Sequence, residues 1–159
     1  MQYAHLLKNP IHFLSLGFGS GLAAKAPGTF GTIAAIPVVI LASYLGHTGF
    51  AIATLLACIV GVYFCGYTAK AMGEHDHPAI VWDEIAGFMV AFLWLPISWQ
   101  TLLVGFVLFR IFDILKPWPI RYLDKHVHGG LGIMLDDILA GLATLAILHA
   151  LIALGWLGL

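Results

Sequence analysis

Charge is what this 159-residue sequence has least of: 7 Lys+Arg and 8 Asp+Glu amount to 9% of the chain, against 61% hydrophobic residues. A soluble domain carries about 25% charged residues. With a mean hydropathy of +0.98, most of the exterior must face something other than water, and lipid is the medium that fits. A basic tail is also missing, and the net charge is -1. Nucleic acid is thereby excluded as a partner, because binding it takes clustered Lys and Arg to displace counterions from phosphates. Cysteine is nearly absent. Cys58 and Cys65 lie in one apolar run, where helical geometry sets them roughly 10 Å apart along the axis, too far for a disulfide. Their spacing matches no zinc pattern, so they read as small apolar residues. No repeat, linker or low-complexity tract interrupts the chain, and residues 1–159 are expected to form one domain. The apolar stretch Ile11 to Leu16 is too short for a secretory signal, and glycines follow it.

The charges that are present leave three windows without any: Ala26 to Ala69, Ile85 to Phe109, and Ile138 to Leu159. A helix crosses the hydrocarbon core with about 20 mostly apolar residues, so the first window can hold two crossings, divided at Gly46-His47-Thr48-Gly49. Helices are expected at Thr32 to Leu45, Gly49 to Ala69, Glu84 to Leu95, Trp99 to Leu115 and Asp136 to Leu157. This is an all-α, polytopic membrane bundle of four or five crossing helices with a short N-terminal helix. The connections alternate between charged (1–31, 70–83, 116–135) and uncharged (46–48, 96–98, 158–159), so every Lys and Arg falls on one side. Positively charged loops stay in the cytoplasm, which orients that side inward.

Ionisable groups beside hydrocarbon are costly and usually have a task. Four stretches supply them. Gly19 to Thr32 is Gly-rich and carries Lys25; its amides and the hydroxyls of Ser20 and Thr29 could cradle a phosphate, or the stretch could be a simple entry turn. Asp83 and Glu84 open an apolar helix, where a pair of acids also complements the helix dipole. Arg110, Asp113 and Lys116 are spaced to share one side of a helix that Pro117 ends, where a salt-bridged stripe is the lesser alternative to a functional role. Finally, His128 to Leu135 reads as a flexible loop that delivers Asp136 and Asp137 to the start of the last helix.

Together, five carboxylates (Asp83, Glu84, Asp113, Asp136, Asp137) come from the ends of three apolar helices. Their mutual repulsion calls for a cation, and an all-oxygen set favours magnesium, manganese or calcium over zinc. His75, His77, His126 and His128 form two His-x-His pairs that offer zinc a weaker alternative. The cations Lys25, Arg110, Lys116 and Arg121 beside such a metal imply an anionic substrate, and a phosphorylated lipid headgroup at the membrane surface is the simplest.

The runs Gly17-Phe18-Gly19-Ser20-Gly21, Val81-Trp82-Asp83-Glu84, Phe109-Arg110-Ile111-Phe112-Asp113 with Lys116-Pro117-Trp118-Pro119, and His128-Gly129-Gly130 through Asp136-Asp137 resemble the bacterial phosphatidylglycerophosphatase A family. The likeness runs from about Asn9 to Gly141. It implies an all-helical, multi-pass enzyme of the bacterial cytoplasmic (inner) membrane that uses Mg²⁺ to hydrolyse phosphatidylglycerophosphate to phosphatidylglycerol and phosphate. The expected roles follow: Asp83, Glu84, Asp113, Asp136 and Asp137 as metal-binding and catalytic carboxylates, Lys116 as a catalytic cation, and Ser20, Lys25, Thr29, Arg110, Lys116 and Arg121 as substrate contacts. Direct attack by water is preferred to an aspartyl-phosphate route, since no Asp-x-Asp-x-Thr run is present. The expected partners are the lipid substrate and the bilayer, with no obligate protein partner evident. Two other classes compete. A CDP-alcohol headgroup transferase would need an Asp-Gly-x-x-Ala-Arg signature that the chain lacks, and a small cation transporter would need acids on the far side, where Pro96-Ile97-Ser98 offers none.

Overall fold

The structure, a computed structural model, describes residues 3–74 and 77–157; His75 lies outside the described residues, and so does part of the charged loop around it. Among the described residues every regular element is helical: α1 Pro10–Ser15, α2 Pro27–Ser43, α3 Gly46–Met72, α4 Trp82–Val90, α5 Trp99–Leu115, α6 Ile120–His126 and α7 Gly129–Ala153, with short 3-10 turns at Ala4–Lys8 and Ser20–Leu22.

Among the described residues, only α3 and α7 are both long and apolar enough to cross a membrane; α2 is apolar but shorter. This is fewer than the four or five crossings read from the charge-free windows, and α4 shows why. Its 9 residues rise about 14 Å, and all of Asp83 to Val90 is buried. The helix lies inside the bundle, against α2, α3 and α7 with α5 beside it. Ala91 to Trp94 then form turns, so the expected helix from Glu84 to Leu95 stops short. The apolarity of α4 therefore serves the protein core.

Lipid-like exposure falls instead on the outer faces of the long helices. On α5, Trp99, Leu103, Val107, Ile111 and Ile114 are all exposed at spacings of three and four, which line one helical face. On α3, Ile52, Leu55, Leu56, Ile59 and Tyr63 do the same. Such continuous apolar surface is untenable in water.

The expected boundaries at Trp99 and Leu115 hold, and Pro117 follows the end of α5 as anticipated. Two others move. Helix α3 starts at Gly46, inside the stretch read as a break, which falls instead at Tyr44 and Leu45. The flexible loop expected at His128 to Leu135 is helical from Gly129 onward, so Asp136 and Asp137 lie two turns inside α7. Its glycines act as contact surfaces: a Cβ at Gly130 would strike the Val62 carbonyl of α3, so the missing side chain lets two helices meet closely. Cys58 and Cys65 share α3, unlinked by a disulfide.

A buried acidic centre at one end of the bundle

The α4 N-terminus is held before its acids are placed. Val81 donates its backbone N–H to Ser15 (2.9 Å), and the Trp82 indole Nε1 donates to the Ala57 carbonyl of α3 (3.0 Å). Asp83 and Glu84 follow directly, both buried. One turn later, Gly87 meets α7: a Cβ there would stand 2.5 Å from the Asp137 carbonyl. Reciprocally, a Cβ at Gly141 would strike the Gly87 carbonyl. Each helix thus carries an acid one turn before a glycine, Asp83 with Gly87 and Asp137 with Gly141. Backbone contact at the glycines brings the acids together.

One carboxylate oxygen each from Asp83, Glu84 and Asp137 can be chosen so that all lie within 4.8 Å of one another. Buried polar atoms normally have partners. Yet Asp83 Oδ1, Glu84 Oε2, Asp136 Oδ1 and Asp137 Oδ1 are buried without a hydrogen bond, as is Arg110 Nε. Holding so many ionised carboxylates without a counter-charge would be prohibitive. The centre is therefore chemically suited to a hard divalent cation that prefers oxygen ligands.

The remaining acids are engaged differently. Arg110 Nη1 donates to Asp113 Oδ2 at 2.8 Å, while Lys116 Nζ donates to Asp136 Oδ2 at 3.1 Å and lies 3.8 Å from Asp113 Oδ1. The expected salt-bridged stripe exists, and it reaches across to α7. Lys116 ends α5 in the left-handed region, with φ 47°, a conformation that costs a residue bearing a side chain roughly 1–2 kcal/mol. Its ammonium is half-buried. Burial works against that charge, but the nearby carboxylates of Asp113, Asp136 and Asp137 outweigh it and hold the Lys116 pKa above the usual lysine range.

The five-acid set read from the sequence thus divides, among the described residues, into a trio that forms no salt bridge and a pair tied to Arg110 and Lys116. Gly28, in the first turn of α2, closes the site from another side: a Cβ there would meet an Arg110 guanidinium nitrogen and Glu84 Oε1, each at 3.1 Å. Thr29 is next to it, half-buried. Ser20 is turned away, donating its hydroxyl to the Gly17 carbonyl at 2.6 Å. Lys25 is exposed on the preceding loop, and Arg121 donates to the Leu115 carbonyl from α6 (2.9 Å). Neither forms an ion pair with the acids among the described residues.

The Gly-rich stretch is chiefly a packing surface, since Cβ atoms at Gly21 and Gly31 would collide with Ala79 and Val81. The histidines do not converge on one metal-binding group among the described residues. His77 Nδ1 accepts from Ala79 N–H, and His126 Nδ1 contacts the Tyr122 carbonyl. Sequence reasoning missed Gly28, Gly87 and Gly141, and also Asp124, whose carboxyl lies beside Asp136. The repeated Asp-x-x-x-Gly spacing at 83–87 and 137–141 was the available signal for two of them.

Fold and site together define a class: an all-helical protein with a buried, cation-flanked carboxylate centre at the end of an apolar bundle. Residues 13–152 match the family described as phosphatidylglycerophosphatase A. The phosphatidylglycerophosphatase A of Haemophilus influenzae is 50% identical over 147 residues, covering 91% of this chain and 90% of that protein. Its namesake in Escherichia coli is 49% identical over 144 residues, covering 90% and 84% respectively. A putative phosphatidylinositol-3-phosphatase of Bacteroides thetaiotaomicron is 35% identical over 136 residues, 80% of this chain and 84% of its own length. No solved structure matches. The chain belongs to the phosphatidylglycerophosphatase A family and is a phosphatase.

Proposed function

We propose that this protein hydrolyses phosphatidylglycerophosphate to phosphatidylglycerol and inorganic phosphate, with Mg²⁺, at the cytoplasmic face of the bacterial inner membrane. The observation that carries the reading is the set of unpartnered buried oxygens on Asp83, Glu84, Asp136 and Asp137, flanked by Arg110 and Lys116. Kinship with the two phosphatidylglycerophosphatases supplies the substrate.

Asp83, Glu84 and Asp137 would hold the metal, whose chemistry when bound is to polarise phosphoryl oxygens and offset their charge. Arg110 and Lys116 would bind the same phosphoryl group, where their fixed guanidinium and ammonium charges favour the transition state. Asp113 holds both cations in place, so it acts as a positioning residue and not as a ligand. Asp136 keeps Oδ1 unpaired while Oδ2 takes Lys116, which makes it the acceptor for the proton of the attacking water. Hydrolysis adds the water oxygen to phosphorus, breaks the phosphate ester bond and leaves a proton on the glycerol hydroxyl of the product.

The sequence leaves four or five crossings open, and four would make one apolar segment re-entrant. The short buried α4 favours the re-entrant arrangement, with α3 and α7 as full spans and α2 and α5 beside them. The bias of Lys and Arg to the acidic end supports its inward orientation, and cysteine labelling from each side of sealed vesicles tests it.

The deciding assay is phosphate release by purified protein in detergent, with Mg²⁺ and with EDTA. Phosphatidylglycerophosphate, phosphatidylinositol 3-phosphate, phosphatidic acid and a soluble phosphate monoester are compared. Mg²⁺-dependent release greatest for the first is the expected result. Equal release from all four would remove the substrate assignment, and release that persists in EDTA would remove the metal. Activity without a sealed compartment also separates this reading from cation transport.

A further inference from the structure

Beyond the acidic centre, the corner between α5 and α6 encloses a second cavity of about 460 Å³. Lys116, Trp118, Arg121, Tyr122, Lys125 and His126 line it, and no carboxylate does. The Tyr122 and His126 rings stack at 4.2 Å, giving one side of the cavity a flat aromatic surface. Arg121 spends one N–H on the Leu115 carbonyl. Among the described residues neither Arg121 nor Lys125 has a carboxylate within ion-pair distance. Asp124, their neighbour in sequence, lies by Asp136 instead. The cavity is therefore a cationic compartment in which, among the described residues, Arg121 and Lys125 have no ion-pair partner.

Lys116 connects the two compartments. Its ammonium touches Asp136 and Asp113 on one side, and its side chain lines the basic cavity on the other. Trp118, which lines that cavity, is 81% exposed, and Ile114 and Leu115 at the end of α5, 64% and 60% exposed, continue the exposed stripe of that helix. Trp beside Lys and Arg is the pattern of a membrane interface, where headgroups lie.

We infer that this cavity is a subsite for a lipid phosphodiester, which the enzyme holds while the phosphate monoester on the same headgroup lies in the acidic centre. The inference rests on the phosphatase reading above and adds a source of specificity to it. A headgroup bearing a diester and a monoester, joined by a three-carbon bridge, would engage both compartments across Lys116. Its acyl chains would run out past Trp118 along α5. Phosphatidic acid carries only a monoester directly on its diacylglycerol, so it cannot fill both.

The test uses full-length protein in mixed micelles with the double variant Arg121→Ala/Lys125→Ala. Both residues are exposed, and Arg121→Lys/Lys125→Arg serves as the conservative control. The double variant is expected to raise KM for phosphatidylglycerophosphate about tenfold, the scale of a lost charge-assisted contact. It should weaken inhibition by phosphatidylglycerol, which has the diester alone, by a similar factor. Inhibition by inorganic phosphate should stay within twofold, and the control should recover most of the loss. Four results would overturn the subsite: KM and phosphatidylglycerol inhibition both unchanged; weakened inhibition by inorganic phosphate alone; an equal loss of affinity for micelles doped with oleate, which is anionic but has no phosphate; or no recovery by the control. Wild-type protein that releases no phosphate from phosphatidylglycerophosphate would instead remove the reading of the acidic centre. That failure is distinct from a wild type that turns over and variants that keep its KM.

Discussion

The two ends of this bundle are built from the same kind of helix and satisfy their polar atoms in opposite ways. At the uncharged end, Ser98 and Thr101 form a reciprocal capping box at the start of α5, and the Thr101 hydroxyl also reaches the Pro96 carbonyl at 2.9 Å. His149, in the last turns of α7, contacts the Leu93 carbonyl through Nε2 at 3.0 Å. A cavity of about 250 Å³ there is lined by Ser43, His47, Phe50 and Leu95 among others, without an acid. At the acidic end, four carboxylate oxygens and Arg110 Nε are buried with nothing to bond. Unsatisfied polar groups cost stability. Among the described residues the buried side-chain polar atoms left unmet all lie at the acidic end, so the orphans are where a ligand belongs.

The comparison breaks most sharply at the metal-binding trio. Asp83→Asn or Asp137→Asn is expected to lower kcat by about 10³-fold. In EDTA the same variants should melt at a higher temperature than wild type, because each removes a buried charge from a mutually repelling group. A lower melting temperature in EDTA would show instead that the carboxylates are structural.

Lys116→Ala should lower kcat/KM by about 10²-fold, and Lys116→Arg should recover part of it. With its pKa held above the ordinary lysine range, the Lys116 ammonium stays protonated through pH 10, so the alkaline limb of the wild-type rate profile should not titrate there. A limb near pH 9 that vanishes in Lys116→Arg would contradict this. Next come the glycines. Gly87→Ala and Gly141→Ala drive a methyl group into the facing backbone, which should destabilise the protein by about 1–3 kcal/mol and lower activity at least tenfold through displaced acids. Thermal melts with kinetics at low temperature separate the two effects.

The smallest effect belongs to the uncharged end. Ser98→Ala should cost about 1 kcal/mol of stability through the lost cap, while activity per folded molecule stays within twofold. A larger kinetic effect would show that the two ends are coupled.

The difference between the ends also explains which features were legible in advance. The five acids, Arg110 and Lys116 stood out because charge is so rare in this chain. Helix α5 was read correctly at both ends, since Ser98 and Pro117 mark its limits. By contrast, α4 was taken for a crossing because hydrocarbon and a protein core select the same side chains. The glycines before Asp136 were taken for a flexible loop because a glycine chosen for close helix contact is compositionally identical to one chosen for freedom.

The sequence by itself determined the helical class, the segregation of charge to one end and the identity of the acidic centre, because each follows from the cost of placing charge beside hydrocarbon. The tertiary structure alone decided that α4 is a core helix and that Asp113 and Asp136, but not Asp83, Glu84 and Asp137, pair with Arg110 and Lys116. It alone put Arg121 and Lys125 in a separate cavity. Those outcomes depend on which backbones touch, at Gly87 with Gly141 and at Gly130 with Val62, and contact between distant segments is not written in any local pattern of residues.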